Sequence, residues 1–242
     1  MYAIETVNLT KKYKDVTAVE DLNLKVAEGE IFSLLGVNGA GKTTAIKMLS
    51  CLTAPTSGEA FVGGIDVVKA MGRVKEIIAI SPQETAITPN LTAKENLEMI
   101  CGIHGLAKKQ RELKIKELSD SFGLEDVLGR KAGKLSGGWQ RRLSIAMALV
   151  SEPSVLFLDE PTLGLDVIAR SELWDVIRSL KGKTTVILTT HYMEEAEVLS
   201  DRIGIMKNGR LLTVGTAKEI MASVGTDRFE DAFISVVKGE RK

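Results

Sequence analysis

The sequence predicts an α/β protein whose parallel sheet is assembled from both ends of the chain, with a helical block inserted between about residues 85 and 150. Three observations carry that expectation. Short apolar runs, "IFSLL" (31–35), "VLFL" (155–158) and "TTVILTT" (184–190), have the length and composition of buried strands. From about Leu91 to Val150 the pattern is helical instead, with Leu97, Ile100, Cys101 and His104 spaced at i, i+3, i+4 and i+7. Finally, the glycine-rich "GVNGAGKTT" (36–44) joins the first apolar run to the helix-like "AIKMLSCL".

The elements follow in order. The first 35 residues read as strands: "YAIETVNL", then "LNLKV" with Leu22, Leu24 and Val26 on alternate positions, then "EIFSLLG" after a turn at Gly29. A helix runs from the glycine loop to about Leu52, and "TAPTSGEAFVGG" is turn-rich with a short strand inside. "IIAISPQ" reads as a buried strand ending at Pro82 and Gln83. Within the helical block, "QRELKIKELSDSF" and "WQRRLSIAMALV" are the clearest segments, and the charge run "KKQRELKIK" is read as a solvated helix face. After "SVLFLDE" come the helical "ARSELWDVIRSL" and the strand "TTVILTT". "RIGIMKNGRLLTVG" is a hairpin turning at Asn208-Gly209, followed by the short amphipathic tail "FEDAFISVV".

Composition narrows the function classes. The chain has 242 residues, 44% hydrophobic and 26% charged, and its 32 basic and 32 acidic side chains leave no net charge. That balance gives no global sign of binding to nucleic acid or to an acidic membrane surface. No apolar run approaches the roughly 20 residues of a bilayer-spanning helix. "MYAIETVNLTKKY" lacks the apolar core of a signal peptide, so the expectation is a protein that does not itself span a membrane. Cys51 and Cys101 form no metal or redox spacing and are read as small buried residues in a reducing cytosol.

The chemistry begins at G-x-x-x-x-G-K-T, formed by Gly36, Gly41, Lys42 and Thr43. Such a loop turns successive backbone N–H groups toward one point and adds an ammonium, which suits nucleotide phosphates and leaves the Thr43 hydroxyl for Mg²⁺. At the end of "VLFLDE" the sheet delivers Asp159 and Glu160 to its ligand edge. Asp159 there can hold Mg²⁺, and Glu160 can take a proton from an attacking water. "LSGGWQRR" (135–142) offers a second anion-type helix end, in which Ser136, Gly137 and Gly138 precede a helix of the inserted block. Two such ends in one chain make sense if two copies face each other in opposite senses and clamp one nucleotide between them. His191 ends the run "VILTT" at the same sheet edge, whereas His104 has no such context and is taken as structural.

The order "GVNGAGKTT", "SPQE", "LSGGWQ", "VLFLDEPTLGLD", "TTH" resembles the nucleotide-binding subunit of ABC transporters over essentially the whole chain. The resemblance implies a P-loop NTPase fold with a RecA-like parallel core, an N-terminal antiparallel β-subdomain and an inserted α-helical subdomain, all one domain over residues 1–242. It implies ATP as ligand, held by Tyr13 stacking on adenine and by Gly36, Val37, Asn38, Gly39, Ala40, Gly41, Lys42, Thr43 and Thr44 on the phosphates. Thr43, Gln83 and Asp159 would meet Mg²⁺, Glu160 would act as general base, and His191 would contact the γ-phosphate. Ser136, Gly137, Gly138 and Asp166 would act across a dimer interface.

Trp139 stands where the family most often has Gln, and Leu163 where a Ser is common, which matches the export-type branch, as does "FEDAF". The expected partners are a membrane-spanning permease subunit on a separate chain and a second copy or a related ATPase subunit, at the cytoplasmic side of the membrane, with no nucleic acid. A groove near Ile87 and Leu91 is expected to receive a short helix of the permease. The rival reading is a soluble ATPase of the same fold acting on DNA or ribosomes; heptads, zinc-type cysteines and a second P-loop, which mark such relatives, do not occur in the sequence. A P-loop kinase or GTPase would leave "LSGG" unexplained.

Overall fold

The computed structural model describes residues 1–239, and among these residues two sheets form. The N-terminal strands, Tyr2–Tyr13 (β1) and Val16–Ala27 (β2), are longer than the alternation in the sequence indicates. Their pairing is antiparallel but shifts register near Asn8 and Asp21, both in the left-handed backbone region at φ 47° and 48°. Asn23 braces the irregularity, donating from Nδ2 to Asn8 Oδ1 (3.0 Å) and to the Asp21 carbonyl (2.9 Å). Asn and Asp tolerate this conformation because their short side chains bond locally. The resulting bulge interrupts the period of two. Leu22, Leu24 and Val26 nevertheless alternate and bury as read.

Ile31–Leu35 (β3) is buried at every position and runs into the glycine loop and the helix Lys42–Leu49 (α1). Ser57–Val62 (β4) and Ile65–Asp66 (β5) complete an antiparallel sheet of order β2-β1-β4-β5. Met71–Ile77 (α2) leads to Ile78–Ser81 (β6). Three helices then form the inserted block: Ala93–Ile103 (α3), Lys108–Phe122 (α4) and Gly137–Ala148 (α5).

The chain returns to the sheet as Val155–Asp159 (β7), Val167–Arg178 (α6), Thr185–Thr190 (β8) and Met193–Leu199 (α7). Arg202–Lys207 (β9) and Arg210–Gly215 (β10) form the expected hairpin, with Asn208 and Gly209 both at positive φ (49° and 79°). Ala217–Val224 (α8) and Phe229–Lys238 (α9) close the described chain.

The second sheet has the order β10-β9-β3-β8-β7-β6, parallel from β9 to β6 with β10 antiparallel at the edge. Its strands feed both faces alternately. Leu156, Leu158, Val186 and Leu188 pack under α3 to α6, while Val155, Phe157 and Ile187 pack with α1 and the antiparallel sheet. The tail is no loose appendage: Phe229, Ala232 and Phe233 pack with Ile203, Ile205 and Ile220.

Two expectations need correction. His104 is exposed at the end of α3 and packs into no core, because the apolar stripe of that helix stops at Cys101. Cys51 is only half buried, with its thiol donating to the Val67 carbonyl (3.3 Å). Burial still pushes both thiols above their ordinary pKa.

Candidate nucleotide site

The glycine loop is shaped by close approach on two sides. A Cβ on Gly36 would lie 2.4 Å from the Met206 carbonyl, and one on Gly41, at φ 101°, would lie 2.4 Å from the Ala18 carbonyl. Glycine is therefore required where the loop leaves β3 and where it enters α1. Gly209 donates to the Ala40 carbonyl (3.0 Å) and accepts from Glu20 N (2.8 Å), so the β9–β10 turn clasps the loop against β2. No side chain caps the start of α1. Its first N–H groups stay available to an anion at the positive end of the helix.

Lys42, only 5% exposed, folds back over this loop and donates to the carbonyls of Gly36 (2.7 Å) and Val37 (3.3 Å). Its ammonium also lies 3.3 Å from Glu160 Oε1, and the other oxygen of Glu160 is 2.7 Å from His191 Nδ1. Glu160 is held in the left-handed region (φ 48°) by bonds from its N–H to the carbonyl (3.1 Å) and hydroxyl (3.0 Å) of Thr189. That turn swings its carboxylate off the sheet edge and into the cleft. Asp159 Oδ1 accepts from Thr43 (3.1 Å) and Thr189 (2.5 Å), which places a hydroxyl and a carboxylate oxygen side by side.

These residues open on one cleft of about 730 Å³, with Tyr13 at its rim and Asn38 to Thr44, Gln83, Glu160, Leu163 and His191 on its walls. The Tyr13 ring is half exposed and carries the Lys11 ammonium 5.0 Å from its centroid. Sequence reasoning missed Thr189; the signal was a hydroxyl ending an apolar run at the ligand edge of the sheet. It also missed Arg141, a charge in the apolar stripe of α5 and only 4% exposed.

The remaining candidates lie elsewhere. Ser136 stands at the start of α5 with its side chain making no cap bond, and it and Gly137 are exposed. Gly138 is buried, so close to α6 that a Cβ would meet that of Ala169 at 3.0 Å. Asp166 caps α6 by accepting from Ala169 N (2.9 Å). The "LSGG" end and Asp166 thus form one neighbourhood that does not line the cleft. Trp139, the departure from the common Gln, packs against the helical core with the Arg142 guanidinium 4.8 Å over its ring. Leu163, the other departure, lines the cleft.

Glu195 is a further buried acid, fully inaccessible on α7, accepting from the Trp174 indole (3.2 Å). Burial pushes its carboxyl pKa up, against the Trp174 indole and the hydroxyls of Thr190 and Thr162.

A family model described as "ABC transporter" matches residues 19–163. A daunorubicin resistance ATP-binding protein, DrrA3 of Streptomyces coeruleorubidus, is 43% identical over 94% of this chain and 72% of its own length. The chain belongs to the ABC transporter ATP-binding family. The probable multidrug ABC transporter ATP-binding protein YbhF of Escherichia coli (strain K12) is 40% identical over 97% of this chain, which spans 41% of that longer protein. A solved structure described as an ATP binding subunit of an ABC transporter is 28% identical, with a TM-score of 0.84 over 97% of this chain and 99% of its own. The dimeric cassette MJ0796, in a post-hydrolysis state with ADP and Pi, is also 28% identical, with a TM-score of 0.78 over 88% of this chain and 98% of its own. As a member of this family the chain is an ATPase, and the α/β fold expected from the sequence is the one the ABC cassettes share.

Proposed function

We propose that this chain drives export through a separate membrane-spanning permease by closing head to tail with a second ATPase subunit around two ATP molecules. One observation carries the reading: the chain presents a phosphate loop and an "LSGG" helix end, and the second does not line its own cleft. Each cleft is completed when the partner copy supplies Ser136, Gly137, Gly138 and the Asp166 loop. The dimeric state of the MJ0796 cassette supports this arrangement, and the drug-resistance and multidrug names of the relatives support export. Residues 1–242 act as one catalytic unit, with the helical block as its moving part.

Within each site the residues divide the work. ATP phosphates take the N–H groups of residues 36–44 and draw Lys42 from the Gly36 and Val37 carbonyls. Adenine stacks on Tyr13. With Lys42 engaged, Glu160 is free to accept the proton of a water whose oxygen attacks the γ-phosphorus, while the bond to the leaving ADP oxygen breaks. His191, already on the Glu160 carboxylate, orients that water and the γ-phosphate.

Among the described residues no cluster of three His, Cys, Asp or Glu side chains could hold a metal alone. The adjoining oxygens of Thr43 and Asp159, with Gln83, fit Mg²⁺ shared with substrate phosphates. When bound, that ion neutralises charge across the phosphate oxygens.

No helix among the described residues is long and apolar enough to cross a membrane, and the attachment proposed is a peripheral one through the permease, on the cytoplasmic side. Ile87 and Leu91 are both partly buried, and Ile87 packs against the helical core. The groove lies beside them, between β6, α3 and α5, with Ala86, Ile100, His104 and Met147 on its walls. Ile103, at 72% exposure, stands at the same end of α3.

The direct test is a cross-link. With Cys51 and Cys101 replaced, Asn38→Cys and Ser136→Cys placed on different copies should form a disulfide only when ATP closes the dimer. No link with ATP, or a link that forms equally well without it, defeats the head-to-tail arrangement.

A further inference from the structure

We propose that Arg141 is a positioning residue that ties a chain's own Gln83 loop to the helix end the same chain offers its partner. The residue lies on α5, just after the "LSGG" glycines, and is 4% exposed. Its two terminal nitrogens donate to consecutive carbonyls, Nη1 to Pro82 (2.6 Å) and Nη2 to Gln83 (2.6 Å). β6 stops at Ser81, so these carbonyls lie beyond its pairing with β7. One turn further along α5, the Ser144 hydroxyl meets that of Ser81 at 3.1 Å. Residues 141 and 144 share a helix face. The helix therefore grips the chain at 81–83 from one side, while the Gln83 side chain is left exposed in the cleft.

The form of the grip matters. A guanidinium presents a planar fork that serves two oxygens in a fixed geometry, whereas an ammonium is one compact point of charge. Burial pulls the Arg141 pKa down, opposed first by the negative charge of Asp159 at the nucleotide edge of the sheet. Retaining a buried charge carries a desolvation penalty that good bond geometry must offset. The bonds here lead to the backbone beside Gln83, so a displacement of the start of α5 is delivered to Gln83 as a displacement of its main chain. Closing of the clamp on the partner's nucleotide and placement of glutamine in the chain's own site become one motion.

This inference rests on the role of Gln83 given above, and the experiment separates the two. Mg²⁺ is titrated at saturating ATP with the full-length chain as wild type, Arg141→Lys, Gln83→Ala and the double variant, while a fluorescent ATP analogue reports binding. Arg141→Lys should lower kcat about tenfold and raise half-saturating Mg²⁺ several-fold, with nucleotide affinity within about twofold of wild type. Added to Gln83→Ala, it should change little more, since both lesions break one chain of contacts.

If Gln83→Ala shifts the Mg²⁺ dependence and Arg141→Lys does not, or if the two effects multiply, the assignment of Arg141 is overturned. If Gln83→Ala itself shifts nothing, the reading of Gln83 fails first. Should Arg141→Lys not fold, hydrogen exchange on the wild type decides. Amides 83–86 and 137–141 should change protection at the same ATP concentration, and separate midpoints overturn the proposal.

Discussion

Residues 36–44 and residues 135–138 both carry glycine backbone into the start of a helix, yet they are finished to different degrees. The first is enclosed: Gly36 and Gly41 sit against the Met206 and Ala18 carbonyls, and Lys42, Thr43, Asp159 and Glu160 converge on the space in front. The second is open, with Ser136 and Gly137 exposed between the buried Leu135 and Gly138, the latter against Ala169. An enclosed loop selects its ligand within one chain. In the proposed head-to-tail dimer the open helix end meets a ligand already held by the partner copy, with α6 packed behind Gly138.

The largest effect tests the enclosed half. Glu160→Gln removes the proton acceptor while keeping shape, so hydrolysis should fall by roughly 10² to 10⁴-fold while ATP still binds. With negative charge withdrawn from the γ-phosphate region, the ATP-bound dimer should accumulate and elute early on sizing with MgATP. Normal turnover would remove Glu160 from its role.

The next prediction sets the two regions against each other. Lys42→Ala damages the enclosed loop and Ser136→Arg the open end, so a mixed dimer carries both lesions in one site and leaves the other intact. Nucleotide occupancy should rise to about one per dimer at ATP concentrations that leave either homodimer largely empty, given an affinity loss of tenfold or more per lesion. Occupancy no higher than in the homodimers would mean that both regions serve the same chain's nucleotide.

A smaller effect on nucleotide chemistry is expected at the groove. Ile103→Glu places a charge on an exposed apolar position that does not line the nucleotide cleft. Membrane flotation with the permease should be lost, while basal ATPase stays within about twofold, as for surface changes generally. Retained flotation with collapsed ATPase would reverse the assignment.

The smallest effect concerns the buried contact between Glu195 on α7 and Trp174 on α6. Burial raises the Glu195 pKa above its ordinary 4.5, so the folded chain keeps a proton that the unfolded chain releases. Stability contributed by that proton is present below the ordinary value and is lost as pH climbs toward the raised one. Glu195→Gln should therefore gain more on wild type at pH 8 than at pH 5, by about 2–4 °C in Tm per kcal/mol recovered. Equal shifts at the two pH values would show that the acid is not protonated in the fold.

Much of this was legible beforehand, for physical reasons. Buried parallel strands are apolar throughout, so β3, β7 and β8 declared themselves, and the phosphate loop combines residue types that few other tasks require. The elements that stayed hidden are those whose signal is brief or broken. α8 is marked mainly by the capping box of Thr216 and Glu219, and β1 was legible only as far as Leu9, its extension to Tyr13 lying past the Asn8 bulge. At the site, spacing along the chain named Glu160 but not its strained backbone, nor the Thr189 hydroxyl that fixes it. Near the proposed docking groove, apolar character alone does not separate Ile87, packed against the helical core, from Ile103, which is exposed.

The clasp on the phosphate loop also bears on the order in which the molecule is made. β3 lies between β8 and β9, strands that follow it by some 150 residues, and the turn that grips Ala40 is at Gly209. Such distant pairings slow folding, and on the ribosome they wait for the late partner to emerge. The earliest nucleotide motif of the sequence is thus among the last to acquire its shape. A nascent chain released short of Gly209 would carry every residue of the loop without the Gly209 bonds that clasp it.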